Sequence, residues 1–236
     1  MSSPPNAETR MTIMEHLAEL RERLIKCLIA LSITTIFSLL FTGRFLAILI
    51  APMEGNQPVA LKPTETIVVY FKIALIGGLV LAMPVIIYQL VRFVSPGLLP
   101  HEKRYLYILL PGATISFAAG VAFAALVMLP FAVRYLQGFL SDIIKPTYSI
   151  DYYISFVTTL LFWVGVIFET PLVIFFLAKL GVVSPQMLTR NRKYAIVIIA
   201  VIAAVVTPTP DPFNMLIVMA PLVALYEVGI LLARLA

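Results

Sequence analysis

A chain of 236 residues that is 61% apolar and only 12% charged, with a mean hydropathy of +1.01, is too apolar for one or two soluble domains and reads as a polytopic, all-α membrane protein. Its net charge of +5 is spread over several short loops, so it marks topology and not a nucleic-acid surface. The single cysteine, Cys27, excludes an intramolecular disulfide and a cysteine metal cluster.

The first element is amphipathic. After the polar stretch Met1–Arg10, where no cleavable signal is expected, Met14, Leu17, Leu20 and Leu24 recur at three- and four-residue spacing and form one apolar stripe of a helix. Glu15, Glu19 and Glu22 fall on a neighbouring face, and Glu19 has Arg23 at i+4, the spacing of a helical ion pair.

Charge-poor windows then predict six spans: Leu24–Thr42, Val69–Val91, Tyr105–Tyr135, Tyr152–Lys179, Tyr194–Val206 and Phe213–Leu232. Each is set against the roughly 20 residues that cross a hydrocarbon core. The fifth is short, because Pro208 and Pro210 end it and Pro212 blocks an immediate restart, so a thin helical hairpin is expected there. Pro84, Pro111, Pro130 and Pro171 each free a backbone carbonyl and favour a kink. The expectation is one integral membrane domain over residues 1–236, a concave, cup-like bundle of six transmembrane helices.

Lys and Arg number twelve on the side of the termini and five on the other, which predicts both termini in the cytoplasm. The two longer loops of the opposite side, Gly43–Val68 and Gln137–Asp151, are apolar enough to pack as a cap. On the cytoplasmic side, Ser95-Pro96-Gly97 is turn chemistry that stops the second helix, and Glu102 lies where the third begins, a position the helix dipole favours for an acid. Two separated acidic positions on one face could also clamp two guanidiniums.

Glu169 is the most informative residue, a carboxylate inside an otherwise uncharged segment. An ionisable group at membrane depth costs on the order of 2.5–3.5 kcal/mol, so it is a functional-site candidate, the bland alternative being an acid protonated or paired with a neighbouring hydroxyl. Hydrolytic chemistry lacks its groups: His16 and His101 are in cytoplasmic segments, and Asp142, Asp151 and Asp211 fall at or outside span ends. There is no Walker loop, His-Glu-x-x-His or Gly-x-Ser-x-Gly motif, so neither an enzyme nor a cofactor is expected.

Five stretches in this order carry a family resemblance. They are His16-Leu17-Ala18-Glu19-Leu20-Arg21-Glu22-Arg23-Leu24, Ala82-Met83-Pro84-Val85-Ile86-Ile87-Tyr88-Gln89, Phe93-Val94-Ser95-Pro96-Gly97-Leu98 through His101-Glu102-Lys103-Arg104, Phe168-Glu169-Thr170-Pro171, and Thr207-Pro208 through Asp211. Over nearly its whole length the chain resembles the TatC component of the twin-arginine protein translocase. The resemblance implies a receptor for the twin-arginine signal peptides of folded cargo, in the plasma membrane of a prokaryote. It implies work with single-span partners of the TatA and TatB kind, self-association in a larger complex, the lipid bilayer as surroundings, and the proton-motive force as energy source.

By position, the resemblance makes Glu19, Arg21, Phe93, Pro96 and Glu102 the signal-peptide site. Glu169 and Gln89 become the intramembrane polar residues, and Pro52 and Asp211 outer-loop positions. Asn214-Met215 departs from the Ser-Gln pair expected after Asp211. The competing class is a proton-coupled small-solute transporter using Glu169, which would need a polar path to both faces through apolar Val164, Val166, Ile167, Phe168 and Leu172.

Overall fold

A backbone crossing hydrocarbon has no water to bond, so long apolar runs close their hydrogen bonds internally as helices. The computed structural model describes residues 13–53, 56–95, 100–139, 141, 143, 146–207 and 211–236. Its elements are α1 (Ile13–Leu39), α2 (Thr42–Ile50) running into a short 3-10 turn (Ala51–Met53), α3 (Glu65–Val94), α4 (Pro100–Phe123), a π-helical segment (Ala124–Met128), α5 (Leu129–Gly138), α6 (Ile150–Ile167), α7 (Thr170–Lys179), α8 (Pro185–Arg190), α9 (Arg192–Val206) and α10 (Pro212–Ala233).

Among the described residues, four segments are long and apolar enough to cross a membrane: Glu65–Val94, Leu109–Gly138, Ile150–Lys179 and Pro212–Ala233. A fifth forms if α1 and α2 count as one broken span, although the chain turns by 75° between them. The apolar piece expected as loop at Phe45–Ala51 is therefore mostly helix, lying across the end of α1. α9, the thin member of the expected hairpin, has 15 residues and reaches about 22 Å.

The prolines act unequally. Pro84 and Pro111 stay inside α3 and α4. Pro130 opens α5 directly after the π-helical segment, which contains Leu126, the residue whose carbonyl its ring would otherwise strike. Pro171 opens α7 and divides the span Ile150–Lys179 at Phe168 and Glu169.

Small residues set the helix crossings, as in membrane bundles generally. At the α1–α3 crossing, a Cβ on Gly78 would lie 2.5 Å from Thr35 Cα, and the Thr34 hydroxyl donates to the Gly78 carbonyl at 2.7 Å. At the α4–α6 crossing, a Cβ on Gly165 would meet the Phe117 ring at 2.7 Å and one on Gly120 would meet Phe168 at 2.8 Å. The largest buried cluster draws Leu49 and Met53 onto Val69, Ile73, Met128, Tyr153, Ile154 and Val218, so α2 and its 3-10 turn belong to the core.

The two long loops meet as a cap. Val59 N–H donates to the Tyr148 carbonyl and Ile150 N–H to the Val59 carbonyl, both at 2.9 Å, forming a parallel bridge between Val59 and Ser149. Asn56 Nδ2 donates to the Pro146 carbonyl at 2.8 Å, and Glu65 Oε2 accepts from Leu61 N–H at 2.9 Å and from the Ser149 hydroxyl at 3.2 Å. Lys72 pairs with Asp151 and donates to the Ser155 hydroxyl at 2.8 Å, tying α3 to α6 beneath the cap.

Candidate functional site

The first turns of α1 and the last turns of α3 lie side by side at the end of the bundle opposite the cap. Their apolar periodicity packs them, and their polar residues then face each other. The His16 ring stacks on Phe93 with centroids 4.3 Å apart and an interplanar angle of 16°. One turn deeper, Glu19 Oε1 accepts from Arg23 Nη2 at 2.8 Å, and Arg23 Nη1 donates to Gln89 Oε1 at 3.1 Å. The Glu19 and Arg23 side chains are only 14% and 16% exposed, so this ion pair is largely desolvated. Gln89 is buried.

The cluster leaves capacity unspent. Glu19 Oε2 is buried without a hydrogen-bond partner among the described residues, with His16 Nδ1 at 3.8 Å, and Arg23 Nε is likewise unpartnered. A buried acceptor left open beside a paired cation is a costly arrangement, and an arriving donor could relieve it. The structure brings together Glu19, Phe93 and Gln89 of the expected residues and leaves Arg21, two residues on and on the far side of α1 from Glu19, exposed. Pro96 lies outside the described residues. Glu102 falls in the first turn of α4, and its side chain is likewise outside them.

Two participants go beyond the expected set. Arg23 is legible locally as the i+4 partner of Glu19, but its bond to Gln89 spans 66 residues of sequence. His16 is present in the motif, yet nothing in its spacing announces a stack on Phe93.

The second polar locus is the break between α6 and α7. Leu172 N–H donates to the Glu169 carbonyl, a short-range bond that deprives the Phe168 carbonyl of its helical donor. The Ser116 hydroxyl of α4 supplies the replacement at 2.7 Å. Glu169 is partly buried beside this break, and its Oε1 is buried with no hydrogen-bond partner among the described residues. Glu169 lies at the α6–α7 break and Gln89 on α3.

The two positions expected in outer loops both lie at helix ends. Pro52 sits in the 3-10 turn after α2. Asp211 caps α10, its Oδ1 accepting from Asn214 N–H at 2.7 Å and its Oδ2 from Asn214 Nδ2 at 2.9 Å. Asn214, 2% exposed, thus completes the cap where the family pattern led one to expect serine.

Comparison with known proteins agrees with this architecture. The family model described as Sec-independent protein translocase protein (TatC) matches residues 15–221. The translocase protein TatC of Carboxydothermus hydrogenoformans is 39% identical, over 95% of this chain and 93% of its own length. That of Aquifex aeolicus is 40% identical over 96% of each. A crystal structure of the twin arginine translocase receptor TatC superposes with a TM-score of 0.82 at 40% identity, covering 94% of this chain and 99% of the other. The chain therefore belongs to the TatC family and is a multi-pass membrane component of the Sec-independent protein translocase, a transport subunit and not an enzyme.

Proposed function

We propose that this protein binds twin-arginine signal peptides of folded cargo where the start of α1 meets the end of α3, and organises TatA- and TatB-type partners for export driven by the proton-motive force. The observation that carries the reading is the largely buried Glu19 carboxylate, with one oxygen lacking a hydrogen-bond partner among the described residues, beside the His16–Phe93 stack. An acid with a free acceptor suits a guanidinium, and an adjoining aromatic face suits the apolar residues that follow it in a signal peptide. Glu102, in the first turn of α4, is the second acid of the proposed site, and Arg21 and Pro96 are its further members. In this reading the chain is one domain of six spans, with α1–α2 and the short α9 completing the set. Both termini are cytoplasmic, and the bundle is a concave cup in the plasma membrane of a prokaryote.

The test is retention of purified protein by an immobilised signal peptide with two consecutive arginines, against the same peptide with two lysines. Glu19→Gln and Glu102→Gln should each weaken binding by about 1.5–3 kcal/mol, the worth of a hydrogen bond to a charged group. Equal retention by both peptides, or unchanged binding in both variants, removes the arginine clamp.

A further inference from the structure

We infer that Arg23 is an internal stand-in for a signal-peptide arginine, and that the peptide gains its place by displacing it. This rests on the proposed signal-peptide reading of Glu19. Glu19 and Arg23 cancel each other's charge, so at rest the cluster offers an incoming cation no net attraction. Arg23 uses two nitrogens on two acceptors, Nη2 on Glu19 Oε1 at 2.8 Å and Nη1 on Gln89 Oε1 at 3.1 Å. That is the fork a guanidinium makes and a compact ammonium does not reproduce.

Exchange therefore discriminates by competition. An incoming guanidinium can take over both acceptors and can also use Glu19 Oε2, which has no hydrogen-bond partner among the described residues, so it outbids Arg23. An incoming ammonium recovers less than Arg23 gives up, so the resident wins. The occupied site works against the wrong ligand, while the extra acceptor on Glu19 works for the right one. Release of Arg23 is feasible because its long apolar stem lets the guanidinium turn out to the lipid–water interface. Its neighbour Glu22 is already held by Lys26 at 2.6 Å.

The experiment measures affinity of the full-length protein in nanodiscs for synthetic two-arginine and two-lysine signal peptides, in wild type, Arg23→Gln, Arg23→Lys and Glu19→Gln. With the stand-in removed, Arg23→Gln should bind the two-arginine peptide about tenfold more tightly and lose most of its preference over the two-lysine peptide. Arg23→Lys, a weaker occupant, should fall between it and wild type, and it decides the matter if Arg23→Gln does not fold. Weaker or unchanged two-arginine binding in the Arg23 variants overturns the inference and makes Arg23 a support for Glu19. Failure of Glu19→Gln to weaken binding is a different result, which strikes the proposed site itself.

Discussion

Gly78→Ala perturbs the framework that holds the two walls of the site together. A Cβ at this position would sit 2.5 Å from Thr35 Cα and 2.7 Å from Thr35 N, both backbone atoms that cannot swing aside. Restoring ordinary contact requires α1 and α3 to part by about 1 Å, an overpacking that typically costs 1–3 kcal/mol. The same shift stretches the 2.7 Å bond from the Thr34 hydroxyl to the Gly78 carbonyl. Gln89 lies eleven residues further along α3, about 16 Å away, so a parting carried along the helices takes the 3.1 Å Arg23–Gln89 bond to about 4 Å, beyond hydrogen-bond range. The expected result is a lower unfolding midpoint in detergent together with weaker two-arginine peptide binding. The two effects should be larger in Gly78→Val. An alanine variant with wild-type midpoint and wild-type affinity would refute the claim that this crossing sets the site.

Inserting four leucines into α9 lengthens its 15 residues by about 6 Å and brings it close to the roughly 30 Å hydrocarbon core, so export should fall while insertion and yield hold; unchanged export makes the short helix incidental. Ser116→Ala removes the donor that satisfies the Phe168 carbonyl and should destabilise the protein by about 0.6–2 kcal/mol, read as a drop in unfolding midpoint. Glu169→Ala should leave two-arginine peptide binding within about twofold while impairing co-purification of single-span partners or a later export step, since its locus on α6–α7 is separate from the α1–α3 cluster. Uptake of a small solute with protons by this chain alone, abolished in Glu169→Gln, would support a transporter instead.

The class of the protein was decided by its sequence. Apolar runs longer than a bilayer is thick leave no other fold, and a lone Glu169 followed by Pro171 marks both a cost and a break at membrane depth. Pro208, Pro210 and Pro212 bounded α9 for the same local reason, and Glu19–Arg23 followed from helical spacing alone. These are effects of a few neighbouring residues on one backbone, and so they can be read in order along the chain.

Tertiary structure decided what those residues meet. The 75° turn that makes α2 a core helix, the Ser116 hydroxyl that rescues the Phe168 carbonyl 52 residues away, and the Val59–Ser149 bridge that joins two loops all depend on helices brought together by packing. So does the bond that ties Arg23 to Gln89. Periodicity says which face of a helix is polar, but the approach permitted by Gly77 and Gly78 determines which distant polar group that face touches.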